Sequence, residues 1–154
     1  MQSQYEEFKE FEMKYALSGN RSFNALIVDD YRPSQQLLGA SLSAIPEVGE
    51  IEDADSGEAA LQKTKAKKYD LVFLDVMMPN THGYEICSQL RKAPSFRTTP
   101  IVILTGNDGI VDQVRARLVG ASDFLNKPVD AGRVLSVISK HLSQGVTHLP
   151  ESKN

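Results

Sequence analysis

The chain has 154 residues, a formal charge of −3 and a pI near 5.6, a size at which one domain buries a core without disulfide or metal staples. The acidic balance and the lack of a basic run argue against general affinity for nucleic acid or an anionic membrane. Cys87 is the single cysteine, which excludes an internal disulfide, and no apolar run approaches the ~20 residues of a membrane-spanning helix. With a charged start unlike a signal peptide, these features predict a soluble cytoplasmic protein.

Residues 4–17 place Tyr5, Phe8, Phe11 or Glu12, and Tyr15 near helical spacing, an aromatic stripe on a charged helix that Ser18-Gly19-Asn20 ends. Three readings of this helix stay open: it packs on the outside, it pairs with another chain as a homodimer, or it is the tail of an upstream domain. From Asn24 to Leu142, short β-rich runs alternate with helical patterns, the signature of repeated βαβ units and a parallel sheet. Strands are expected near 24–29, 48–54, 70–75, 100–104 and 122–126, with helices near 33–44, 56–67, 83–92, 108–119 and 130–143. The first, third and fourth strands are apolar almost throughout and belong at the sheet centre. The second, Val48-Gly49-Glu50-Ile51-Glu52-Asp53-Ala54, is broken by charges and a glycine and reads as an edge. Pro33 suits a first helical turn, Ser56 and Asp130 are placed as N-caps, and Gly120 as a left-handed helix stop. Cys87 and Met78 read as buried filler. His82, His141 and His148 lack metal-binding spacing and suit surface or helix-end positions. The organisation expected is a linker-bearing helix over 1–22, one domain over 23–143 and a polar tail over 144–154.

Parallel strands bring their carboxyl ends to one edge, where open α/β proteins build their sites. Here those ends carry Asp29-Asp30, Asp75, Thr105 and, after Asn126, Lys127-Pro128. Three clustered acids about 4 Å apart repel by roughly 4 kcal/mol per pair at an effective dielectric near 20. Such a cluster needs a cation, and oxygen-only ligands with room for water favour Mg²⁺. An ammonium beside that ion is useful chiefly with an anion between them, for which a phosphoryl group is the natural candidate. Asp75, the lone acid ending a central strand, is the best nucleophile toward phosphorus, the Asp29-Asp30 pair suits the metal, and Lys127 and Thr105 suit the phosphoryl oxygens.

With these residues in view, the chain resembles a receiver domain of the two-component response-regulator family, a CheY-like protein, over about residues 23–143. The resemblance rests on Leu26-Ile27-Val28-Asp29-Asp30, Leu74-Asp75-Val76-Met77-Met78-Pro79 followed by Gly83, Leu104-Thr105-Gly106, and Asp123-Phe124-Leu125-Asn126-Lys127-Pro128. It implies a flavodoxin-like, doubly wound fold: a five-stranded parallel sheet of order 2-1-3-4-5 flanked by five helices, here with an extra N-terminal helix. It implies that Asp75 accepts a phosphoryl group from a sensor histidine kinase or a phosphotransfer protein. Asp30, Asp75 and the Met77 backbone carbonyl would hold Mg²⁺, with Asp29 assisting through water. Lys127 would contact the phosphoryl group beside a cis peptide before Pro128, Thr105 would move toward it, and Phe124 would swing inward. The 108–143 face, with Arg115, Arg133 and Lys140 exposed, would then control a protein partner, without direct binding to nucleic acid or membrane.

Several residues depart from the common pattern. Gly106 replaces an alanine, Phe124 a frequent tyrosine, and Tyr31 and Arg32 stand where smaller or acidic residues are usual. Met77 and Asn107 occupy positions that tune dephosphorylation. An aspartyl-phosphate phosphatase would need a second aspartate where Met77 stands, and a flavin protein a Ser/Thr/Gly-rich loop where Asp29-Asp30-Tyr31-Arg32-Pro33 stands. The expectation is therefore a signalling phosphoacceptor and not an enzyme acting on other substrates. The alternative is a non-switching receiver used for constitutive docking or dimerisation. Either the output runs through protein contact or the chain is cut from a longer protein.

Overall fold

The computed structural model describes residues 22–79, 82–106 and 109–143. The helix expected over 4–17, the tail over 144–154, Asn107 and His148 lie outside the described residues. The chain alternates strand and helix: β1 (Phe23–Val28), α1 (Arg32–Ser43), β2 (Val48–Ala54), α2 (Gly57–Ala66), β3 (Leu71–Asp75), α3 (Gly83–Lys92), β4 (Ile101–Thr105), α4 (Ile110–Leu118), β5 (Asp123–Asn126) and α5 (Ala131–Ile138). All strand pairs are parallel and the sheet order is β2-β1-β3-β4-β5. The charge-broken second strand is an edge, as expected, and β1, β3 and β4 occupy the centre.

Side chains alternate across a strand, so the apolar strands feed two cores. Ala25, Ile27, Phe73, Val102 and Leu104 join Leu38 and Leu42 of α1 and Val134 and Ile138 of α5. Leu26, Val28, Val72, Leu74 and Ile103 join Ala60 of α2, Ile86 and Cys87 of α3, and Ala116 of α4. Buried Cys87 has its thiol pushed up to about 11 by desolvation, and Met78 is also buried.

The helix starts follow local chemistry. Pro33 lies in the first turn of α1. Ser56 accepts a hydrogen bond from Ala59 N–H at 3.0 Å, and Asp130 one from Arg133 N–H at 3.0 Å. After α4, Gly120 takes φ +91°, a conformation glycine enters without a Cβ penalty. Beside it Arg91 ties four segments together. Its guanidinium donates to the carbonyls of Gly120 (2.7 Å), Phe96 (2.7 Å) and Thr99 (2.6 Å) and to Ser122 Oγ (3.1 Å). The fifth helix is shorter than its expected 130–143: a π-helical turn takes over at Ser139–Ser143. There His141 Nε2 lies 2.9 Å from Asp123 Oδ2, a helix-end position as expected.

Candidate functional site: an acidic cluster at the carboxyl edge of the sheet

Asp29 follows β1, Asp75 is the last residue of β3, Thr105 is the last residue of β4, and Lys127 follows β5. The ladder sets their depth. Asp75 pairs with Leu104 and Thr105 with Asn126, so these strands end nearly level. Carboxylate oxygens of Asp29, Asp30 and Asp75 all lie within 4.8 Å of one another. Asp29 and Asp75 are buried, whereas Asp30 is exposed at the mouth.

Lys127 ties the two buried acids. Its Nζ lies 2.9 Å from Asp29 Oδ2 and donates to Asp75 Oδ2 at 3.0 Å. The other oxygens are held by backbone: Asp29 Oδ1 accepts from Tyr31 N–H at 3.0 Å, and Asp75 Oδ1 from Met77 N–H at 2.8 Å. Burial opposes the ammonium of Lys127, but the Asp29 and Asp75 hydrogen bonds outweigh it and raise its pKa. Desolvation raises the Asp29 carboxyl, with repulsion from Asp75 adding to it; the Lys127 and Tyr31 hydrogen bonds only partly offset this.

One ammonium among three carboxylates leaves two negative charges when all are ionised, which a divalent cation would balance. The donors are hard oxygens without a thiolate or imidazole among them, which suits Mg²⁺ rather than zinc. The residues present therefore fit the expected ion.

The flanking loops complete the site. The Lys127-Pro128 peptide is cis, as the resemblance implied. A Cβ on Gly83 would sit 2.5 Å from Val76 Cα and 2.9 Å from the Asp75 carbonyl oxygen, so only glycine lets α3 begin this close to the loop after Asp75. Met77 and Tyr31 are exposed at the rim, and Thr105 is buried. Phe124 is half-buried, packed on the core that includes Ala116 of α4. Arg115, Arg133 and Lys140 are exposed; Arg115 also lies 4.3 Å from the Tyr84 ring centroid, a cation–π contact between α4 and α3.

Sequence reading missed Gln35. It is buried on α1, and its Nε2 donates to the Asp29 backbone carbonyl. Its neighbours Ser34 and Gln36 are equally polar, and only the helix phase, with Leu38 and Leu42 inward, could have marked Gln35 as facing in.

The match to known proteins agrees with this geometry. The model of the response regulator receiver domain matches residues 25–139, and the chain belongs to that family. Receiver domains are the phosphoacceptor modules of two-component signalling; they take part in exchange with histidine kinases or phosphotransfer proteins and bind Mg²⁺ at an acidic pocket. The chain is 39% identical over 109 residues to the response regulator PleD of Caulobacter vibrioides, covering 71% of this chain and 24% of PleD. It therefore spans about a quarter of that relative's length. Over 118 residues it is 29% identical to protein PilG of Pseudomonas aeruginosa, covering 76% of this chain and 85% of PilG. Among solved structures, the chemotaxis response regulator CheY4 of Vibrio cholerae superposes with a TM-score of 0.72 at 28% identity, covering 77% of this chain and 98% of CheY4. Among the described residues, no helix is long and apolar enough to cross a membrane.

Proposed function

We propose that residues 23–143 form a Mg²⁺-dependent phosphoacceptor switch in which Asp75 is phosphorylated by a sensor histidine kinase or a phosphotransfer protein, and the 108–143 face answers to a protein partner. The observation that carries this reading is Lys127 bridging Asp29 and Asp75, with Asp30 completing the acid cluster.

An Asp75 carboxylate oxygen attacks phosphorus as the bond to the donor, P–N in a phosphohistidine or P–O in an acyl phosphate, breaks with its electron pair leaving on the donor. Asp30, Asp75 and the Met77 carbonyl would hold Mg²⁺, with Asp29 assisting through water. The ion supplies neutralisation of the oxygens of the transferring group. Lys127 shifts from Asp75 Oδ2 to a phosphoryl oxygen, keeping Asp29 as its anchor. Thr105 donates its hydroxyl to another, and Phe124, on the neighbouring strand, moves inward in response. A phosphoryl group brings about −1.5 to −2 charge and three acceptor oxygens, enough to bias such a bistable element. The apolar recess beside Lys127, lined by Tyr31, Pro33, Leu37, Leu104, Pro128 and Val129, lies next to the site and suits contact with the phosphodonor. The reading makes the chain a cytoplasmic signalling protein and not an enzyme acting on other substrates.

Intact mass after incubation with acetyl phosphate, with and without Mg²⁺, tests it. The expected result is a Mg²⁺-dependent gain of one phosphoryl group that is absent in Asp75→Ala. No gain in a folded protein, with beryllofluoride leaving Thr105 and Phe124 resonances unmoved, favours the non-switching docking module.

A further inference from the structure

We propose that Gln35 is a positioning residue for the divalent cation: its side-chain amide pins the Asp29-Asp30 peptide and so presents the exposed Asp30 carboxylate to the cation site before an ion arrives. This deepens the phosphoacceptor reading and rests on it.

The first observation is a polar side chain where the helix phase asks for an apolar one. Gln35, Leu38 and Leu42 are the buried residues of α1, three and four residues apart on one face. Gln35 is only 8% exposed, and a buried amide without a partner costs stability. Its Nε2 donates to the Asp29 backbone carbonyl, an atom of the loop that carries two of the three clustered acids. Filling the core alone would be met as well by a leucine or a methionine. Holding that carbonyl requires a donor.

The second is what this bond does to Asp30. Three residues, Asp29, Asp30 and Tyr31, join β1 to α1. A peptide unit is planar, so a residue's backbone is set once the planes on either side of it are fixed. The plane before Asp30 is held through the Asp29 carbonyl by Gln35 Nε2, and the plane after it through the Tyr31 N–H, which donates to Asp29 Oδ1 at 3.0 Å. Gln35 also grips the next carbonyl, its own N–H donating to Tyr31 O at 3.1 Å. Asp30 thus has a fixed backbone under an exposed side chain, and its carboxylate stands within 4.8 Å of those of Asp29 and Asp75.

The acid on the neighbouring strand is served differently. Beyond Asp75, Val76 N–H donates to the Leu104 carbonyl at 3.1 Å and Met77 N–H to Asp75 Oδ1 at 2.8 Å. There the backbone of β4 holds the peptide after the acid. On β1 the ladder reaches Asp29 through its N–H, which donates to the Ala54 carbonyl of the edge strand at 3.0 Å, and the peptide after the acid is held by the side chain of Gln35. Ordering of the Asp30 backbone is therefore complete in the metal-free protein. Left to the moment of binding, ordering one residue's backbone would weaken cation affinity by about tenfold, the scale on which groups behind the ligands of a metal act.

The test compares the wild type with Gln35→Met and Gln35→Leu, which remove the donor and keep an apolar fit. Ile138→Val, in the core at the far end of α5, controls for general loss of stability. Each is titrated with MgCl₂ by NMR, and the order parameters of the Asp30 and Tyr31 amides are measured without metal; circular dichroism reports folding. The wild-type amides are expected near the rigid value of about 0.85 and those of the Gln35 variants below about 0.6, with Mg²⁺ bound about tenfold more weakly. Ile138→Val is expected to match the wild type in both, and at saturating Mg²⁺ the Gln35 variants are expected to recover phosphoryl uptake from acetyl phosphate. An Asp30 amide already mobile in the wild type, a loss of Mg²⁺ affinity with Asp30 still rigid, or an equal loss in Ile138→Val overturns the proposal. A wild type that neither binds Mg²⁺ nor takes up a phosphoryl group overturns both this inference and the reading beneath it. A wild type that does both, beside Gln35 variants that bind Mg²⁺ equally well, overturns this inference alone.

Discussion

The carboxyl edge of the sheet and the outer face of α4 invert the usual distribution of polarity in opposite senses. At the edge, Asp29 and Asp75 are buried and their oxygens are held by Lys127 and backbone N–H groups. On α4, four aliphatic side chains face outward. Buried charge and exposed apolar surface both cost stability in an isolated chain. On the function proposed above, a cation and a phosphoryl group would complete the edge, and the protein partner of the 108–143 face would cover the stripe on α4. The regions differ in rigidity of specification, since the edge fixes individual atoms whereas α4 fixes only a stripe.

The sharpest way to break this contrast is to truncate matched apolar side chains. Phe73→Ala, in a fully buried strand, is expected to cost about 3–5 kcal/mol, whereas Leu118→Ala on α4 is expected to stay within about 0.5 kcal/mol under monomeric conditions. Urea unfolding monitored by circular dichroism measures both, and a Leu118 cost near that of Phe73 would mean α4 is covered within one molecule. Next, Gly83→Ala pushes a Cβ into Val76 and the Asp75 carbonyl and is expected to cost about 1–3 kcal/mol. It should slow phosphoryl uptake by more than its stability loss explains; intact-mass time courses on the folded fraction would show this. Asp29→Asn removes one charge from a cluster with excess negative charge and is expected to stabilise the metal-free protein by about 1 kcal/mol while weakening Mg²⁺ binding. Thermal melts beside Mg²⁺ titrations would show an unstrained cluster if neither quantity moves.

The smallest expected effect concerns Asp123. Burial opposes its charge, but His141, the Phe124 N–H and Lys140 outweigh it and hold the carboxyl below its ordinary 3.8. A carboxyl depressed by folding contributes stability above its unfolded pKa and loses it as pH falls through the lower folded value. The contribution is therefore complete above about pH 4 and drains away below it. His141→Gln should raise the Asp123 pKa and flatten that loss, by less than ~1 kcal/mol in all; NMR titration of the Asp123 carboxyl carbon would decide.

Strand ends were legible because each central apolar run gives way to a polar residue, Asp29, Asp75 or Thr105, and Pro33, Ser56, Gly120 and Asp130 mark helix ends by local backbone chemistry. The acids, Thr105 and Lys127 were legible for a topological reason: every parallel strand delivers its last residue to the same edge. Gln35 and Arg91 were not. Apart from Ser122 Oγ, their partners are backbone carbonyls, and a carbonyl is present at every position, so nothing in the residue types marks which ones these side chains will reach. The exposed stripe of α4 was hidden for a related reason. Ile110, Val111, Val114 and Leu118 match the pattern of a helix turned toward its own core, and only the placement of Ala116 shows that α4 faces the other way.

The Arg91 clamp has a mechanical consequence. It fastens Gly120 and Ser122, at the exit of α4, to the loop before β4 and to α3, while α4's entry follows the loop after Thr105 at the opposite edge. A rod fastened at one end swings instead of sliding. On the function proposed above, a displacement begun near Thr105 would therefore become an arc in which Ile110 travels farthest and Leu118 least, with Gly120 as the fulcrum. Arg91→Lys, reaching fewer of the four acceptors, would loosen that pivot without touching the phosphoacceptor edge.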